Sequence, residues 1–193
     1  MSMLPIPDWT ADGILPPVDM ADPTSTLRSP YRVDLTDFAL RFATSAERIT
    51  IIDGFLKYRS ELHAIGLTRG FQWIDGSFLE NVEILRSRAP EDSDVVTFYQ
   101  LPPGETQSSV LARNPGLFDH DGLKARFSID AYTQDLGSLS KDLVWWSAYW
   151  YGVWSHQRST FVWKGFVEVD LEPSQDTNAR GILFSIPAAG GSQ

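Results

Sequence analysis

The chain has 193 residues and 42% hydrophobic content, enough for one domain with a real core and too apolar for a disordered acidic tail. Its 25 acids and 16 bases leave a net charge of -9, which argues against a long nucleic-acid groove but leaves a metal-escorted nucleotide triphosphate open. With no cysteine there is no disulfide, no thiolate nucleophile and no Cys-based zinc site. Met1 to Pro30 is rich in Pro, Asp and Thr and carries Leu4-Pro5, Pro16-Pro17 and Ser29-Pro30. It reads as an extended arm, with Ile14-Leu15 as its anchor. Met1 to Pro17 has neither a basic start nor an apolar block, and no run nears the roughly 20 apolar residues of a membrane span. The expectation is a cytoplasmic protein with no membrane contact. Its parts would be an arm over 1–33, a single domain over 34–172 and a tail over 173–193.

Asp34 to Phe42 has a short helical rhythm, with Leu35, Phe38 and Phe42 on one side. Thr44-Ser45-Ala46-Glu47 has the form of a capping box closed by Thr44 and Glu47. Ile49, Ile52, Leu56 and Ile65 behind it predict a long helix ending near Gly66. Phe71 to Asp75 reads as a short buried strand, Phe78 to Arg86 as a helix and Asp94 to Tyr99 as a β-branched, aromatic strand. Thr106 to Arg113 predicts a helix, and Leu117 to Gly122 a loop. Lys124 to Leu136 alternates between apolar and polar residues, which predicts a strand. A second long helix is expected over Ser138 to Ser155, with Ser138 or Ser140 as N-cap. A last strand is expected over Trp163 to Leu171, and a short edge strand over Gly181 to Ile186. This order gives an α+β fold, a mixed β-sheet flanked by helices.

Gly76-Ser77 falls where a strand hands over to a helix, and a helix start favours an anion. Such a turn also serves purely structural ends. Asp92 and Asp94 are two apart at the mouth of a strand, so both carboxylates share a face. At an effective dielectric of about 20 they would repel by roughly 4 kcal/mol, which solvent at a strand end or a divalent cation such as magnesium relieves. Asp130 adds an acid on a later strand. Asp75, just before the glycine, would repel an anion unless it turns away.

Together these residues resemble the nucleotidyltransferase superfamily of DNA polymerase beta. Its signature is an apolar residue and Gly-Ser, then Asp-x-Asp followed by apolar residues, then a third acid on a later strand. Ile74-Asp75-Gly76-Ser77, Asp92-Ser93-Asp94-Val95-Val96 and Asp130 match it, so the likeness covers roughly Phe71 to Leu136. Within the superfamily the chain resembles small, poorly characterised bacterial and phage proteins that share Gly13-Ile14-Leu15-Pro16-Pro17 and a late Lys164-Gly165-Phe166-Val167. The resemblance implies a polymerase beta-like core that moves a nucleotidyl group from an NTP to a hydroxyl and releases pyrophosphate. Asp92, Asp94 and Asp130 would be the catalytic and metal-binding residues for Mg2+ (or Mn2+), and Gly76 and Ser77 would hold the phosphates. The acceptor would be a protein, a small molecule or an RNA end. An inactive binding module on the same fold, antitoxin-like or defence-related, is the alternative, and a carboxylate hydrolase is a third reading.

Trp145 to Trp154 holds Trp146, Trp150 and Trp154 at every fourth residue, with Trp145 and Tyr149 beside them. Such a stripe is either core or a platform for a base, a protein partner or a second copy. Arg158 and Lys164 are the cationic candidates for a triphosphate. His156 reads as a helix cap or surface residue, and His63 and His120 as surface residues.

Overall fold

The computed structural model describes residues 5–158 and 160–185. In chain order the elements are β1 (Tyr31–Arg32), α1 (Leu35–Phe42), α2 (Ala46–Ala64), β2 (Gly70–Asp75), a 3-10 turn (Ser77–Leu79) and α3 (Val82–Arg86). Then come β3 (Ser93–Tyr99), α4 (Gln107–Arg113), a second 3-10 turn (Pro115–Leu117), α5 (His120–Phe127) and β4 (Ile129–Asp135). The chain continues through α6 (Ser140–Trp154), β5 (Val167–Asp170), a third 3-10 turn (Pro173–Gln175) and α7 (Asp176–Ser185). The five strands form one mixed sheet in the order β1-β5-β2-β3-β4, so the fold is α+β with helices packed on the sheet. β2 runs antiparallel to both β3 and β5, while β3 pairs parallel with β4 and β1 parallel with β5.

Alternation along the strands splits the sheet into two faces. On one face Gln72 and Thr97 are buried and hydrogen-bonded to each other, and α2 lies across them, with Arg59 Nη1 donating to Gln72 Oε1 at 2.7 Å. The other face carries Trp73, Phe98 and Tyr132, and α6 reaches it. Trp150 packs on Tyr132 with ring centroids 4.7 Å apart, and Trp154 packs on Phe166 at 6.0 Å. α1 and α7 close the core against α2. Phe38, Phe42, Phe55 and Phe78 form its aromatic centre.

The arm is anchored as expected: Ile14 and Leu15 are buried, and so is Val18. Its path ties two distant motifs together. Gly165 N–H donates to Leu15 C=O at 2.7 Å, and a Cβ at Gly165 would fall 2.5 Å from the Pro16 carbonyl oxygen, so only glycine permits this approach. Asn81 N–H donates to Gly13 C=O, and Trp9 Nε1 to Leu79 C=O. Leu4 lies outside the described residues.

Several expectations are corrected. The helix cap before α2 is Ser45, one residue later than Thr44, and its side chain accepts from Arg48 N–H. Phe78 to Arg86 is not one helix but a 3-10 turn followed by the short α3. Lys124 to Leu136 is not one strand. Leu123 and Phe127, four apart, are buried on one face of α5, and Phe127 packs on Tyr58 of α2. The helix therefore runs to Phe127, Ser128 turns with φ 54, and only then does β4 begin. Residue Leu139, not Ser138 or Ser140, occupies the N-cap of α6. The last strand starts at Val167 rather than Trp163. Gly181 to Ser185 is helical, because Asp176, Ala179 and Leu183 recur at helical spacing and are buried; Ile186 lies outside the described residues.

Candidate functional site

Strand register builds the site. Asp75, the last residue of β2, stands opposite Asp94 at the start of β3, and Asp94 stands beside Asp130 at the start of β4. Three acids on three neighbouring strands thus share one level and one sheet face. Asp92 precedes β3 by one residue. Ser93 between the acids is buried, and its hydroxyl donates to Asp75 C=O at 3.2 Å, so it points away from the carboxylates.

Gly76 leaves β2 with φ 91, in the left-handed region that favours glycine. A Cβ there would sit 2.8 Å from Asp94 Oδ2, so the bare backbone lets the chain turn directly over that carboxylate. Ser77 then opens a single 3-10 turn. A turn this short lacks the dipole of a full helix, so the anion argument drawn from a helix start does not hold in that form.

Asp75 is not turned loose toward the cavity. Lys164 Nζ lies 2.9 Å from Asp75 Oδ1 and 3.3 Å from Glu80 Oε1, and all three side chains are at least nine-tenths buried. Glu80 also accepts from Gln157 Nε2 at 2.8 Å and Arg86 Nη2 at 3.1 Å. Burial drives the Asp75 carboxyl above its ordinary range, with Lys164 opposing. Burial also pulls Lys164 down, but Asp75 and Glu80 together reverse it, so the ammonium stays charged between them. Lys164 is therefore committed to two carboxylates rather than held out as a contact for phosphate.

Asp94 is the most perturbed acid. Burial first, then the charges of Asp75, Asp130 and Asp92, push its carboxyl up to about 7, with Lys164 opposing. Asp92 is held by Lys124 of α5, with Nζ 2.5 Å from Oδ2. Asp130 Oδ1 lies 3.0 Å from His120 Nδ1, and the His120 ring packs on Tyr132. His120 is thus a neighbour of the site rather than an isolated surface residue. His63 is largely buried, with Nε2 2.7 Å from Leu171 C=O, which also departs from a surface placement.

Asp92, Asp94, Asp130, Gly76, Ser77, Arg158 and Lys164 all line one cavity of about 850 Å³. Sequence reasoning did not assign Glu80, Lys124, Arg86 or Arg88 to it. The signal for Lys124 was its place in α5: next to Leu123 but off the buried Leu123–Phe127 face, it lies a few residues upstream of Asp130. Among the described residues, no three His, Asp or Glu side chains form a ready metal-holding group.

One wall is mostly aromatic: Tyr132, Tyr149, Trp150 and Phe161 line it, with Val153 beside them. The stripe on α6 divides. Trp150 and Trp154 are core, whereas Trp145 and Tyr149 are 57% and 44% exposed. His156 Nδ1 lies 3.3 Å from Gly152 C=O, a capping position at the end of α6.

Residues 7–170 match a family of unknown function (DUF6932), a span that holds every residue of this site. No curated protein and no solved structure matches the chain.

Proposed function

The chain belongs to the DUF6932 family, and we propose that it is a metal-dependent nucleotidyltransferase with a polymerase beta-like core, moving a nucleotidyl group from an NTP to a hydroxyl acceptor. The observation that carries this reading is the row Asp75, Asp94 and Asp130 beside Gly76-Ser77, with Asp92 at its edge, all in the lining of one cavity. Mg2+ (or Mn2+) would be held by Asp92, Asp94 and Asp130, which would have to draw together from the spacing they have here. The donor atoms are hard carboxylate oxygens, and the crowding that raises Asp94 is what a divalent cation relieves. Asp92 would exchange Lys124 for the ion. Bound there, the ion would neutralise charge on the phosphates during an in-line displacement.

The chain's own residues have separate tasks. Lys164 cancels Asp75, so the turn at Gly76-Ser77 does not repel a phosphate. Gly76 leaves room over Asp94, and Ser77 offers a hydroxyl to a phosphate oxygen. The acceptor oxygen would bond to the α-phosphorus as the α–β bridging P–O bond breaks. Pyrophosphate would leave with that electron pair, and Asp130 would take the acceptor proton. Arg88 and Arg158 line the cavity and carry no ion pair among the described residues, so they can face the phosphates. The acceptor would be a protein, a small molecule or an RNA end.

Calorimetry with each of the four NTPs and magnesium tests the reading. Wild type should bind in a magnesium-dependent way and transfer label from an α-labelled NTP, and Asp92→Ala or Asp94→Ala should lose both. Absence of any magnesium-dependent binding in the wild type would sink it.

The exposed apolar face of α6 favours a second reading: an inactive module on this fold, antitoxin-like or defence-related. A protein partner or second copy would seat on Val144, Trp145 and Leu139. Sedimentation of the purified chain separates a self-associating module from a monomer.

A further inference from the structure

The cavity has two chemistries, and only the carboxylate end is used above. We propose that the aromatic face of α6 is its base platform. Tyr149, backed by Trp145, stacks on the purine of a nucleoside triphosphate whose phosphates reach the strand ends. The placing of the phosphates rests on the transferase reading; the placing of the base does not.

Spacing along α6 prepares this surface. Residues four apart lie one above the other on a helix, and here the result is two parallel rows. Trp145 and Tyr149 stack with centroids 5.5 Å apart and planes 9° from parallel. Trp146 and Trp150 stack at 6.3 Å and 24°. Trp150 anchors its row in the core by packing on Tyr132, while Tyr149 remains 44% exposed and lines the cavity. A planar heterocycle laid beside Tyr149 extends a row of rings that the helix already holds in place. No side-chain order has to be created at that point, which favours binding. A cavity of about 850 Å³ lies in the upper part of the range for small-molecule sites, with room for a base and sugar beyond the phosphates.

Gln157 and one ring nitrogen of His156, beside this wall, are already engaged. Gln157 donates its amide to Glu80 and accepts from Thr160 Oγ1 at 2.7 Å. His156 Nδ1 is occupied with Gly152 C=O and Ser155 Oγ. The wall offers a base its ring faces first. Recognition by stacking follows ring size, so purines should exceed pyrimidines and adenine and guanine should be bound alike.

The test is calorimetry on the full chain with magnesium, using ATP, GTP, CTP, UTP and inorganic tripolyphosphate. ATP and GTP should bind equally and about fivefold tighter than CTP or UTP, with tripolyphosphate weakest. Tyr149→Ala should weaken ATP roughly tenfold and leave tripolyphosphate unchanged, while Tyr149→Phe keeps wild-type affinity. Trp145→Ala, which removes the ring behind it, should weaken ATP in the same sense, and circular dichroism confirms that each variant is folded. ATP no tighter than tripolyphosphate, or unmoved by Tyr149→Ala, overturns the base platform and leaves the phosphate site standing. ATP binding that needs Tyr149 but ignores magnesium and Asp94→Asn supports the platform and overturns the transferase reading. Binding of none of the five overturns both.

Discussion

Asp94 is buried, faces Asp75 and Asp130 across two strand pairs and has Asp92 two residues upstream, with the Lys164 charge opposing, so it ionises late. Its carboxyl in the fold sits near 7, against about 3.9 in an unfolded chain. The folded state therefore holds a proton that the unfolded state releases between those two values. Stability must fall as pH rises from about 4 to 7 on this account, by a few kcal/mol at most, and the penalty is complete above 7. Chemical denaturation in chelator should show this decline, and Asp94→Asn should flatten it and stabilise the protein by roughly 1–3 kcal/mol at pH 8. Added magnesium should raise the wild-type melting temperature at pH 8 and leave Asp94→Asn unmoved. A wild-type profile that rises through pH 4 to 7 in the variant's difference would contradict the assignment. Lys164 gives the opposite case. Replacing it by Met leaves Asp75 buried without its cation and Glu80 with the Arg86 cation alone, and loss of about 3–5 kcal/mol is expected from urea midpoints.

At the level of elements, β2 and β3 were legible because their patterns are local: an apolar run, a glycine exit and a β-branched run with acids at its mouth. α1, α4 and the body of α2 were legible from helical spacing for the same reason. β1 was not, since two residues pair with β5 only through the fold. α5 was misread because Ala125, Phe127, Ile129 and Ala131 mimic a period of two, although the burial of Leu123 and Phe127 against α2 follows a helical one. The alignment of Asp130 with Asp94 depends on where that helix stops, so the three-acid row could be suspected but not registered from sequence. α7 replaces the short edge strand expected over Gly181 to Ile186. It is held by Asp176, whose carboxylate accepts from the fully buried Arg59 at 2.7 Å. Asp176→Ala leaves that guanidinium short of its counter-charge, and a loss of about 3–5 kcal/mol, measured by denaturant unfolding, is expected.

Over the whole molecule, the net charge of -9 sets which partners approach. Acids of the cavity add to that field, so single-stranded RNA should show no retention on the protein at physiological salt without magnesium, as gel retardation would check. On the transferase reading a mononucleotide, which carries far fewer charges, would meet Arg88 and Arg158 at the cavity. Among the described residues no helix is long and apolar enough to cross a membrane.

The contact between Leu15 and Gly165 has a temporal meaning as well. During synthesis the acids of β2, β3 and β4 leave the ribosome before Lys164, and the segment that receives Gly165 has been waiting since residue 15. Until that late strand arrives, Asp75 has no cation, Asp94 has one more unscreened neighbour, and the turn at Gly76-Ser77 repels anions. On the transferase reading, the nascent chain would not capture a nucleotide until Gly165 docks on Leu15 and Lys164 reaches Asp75.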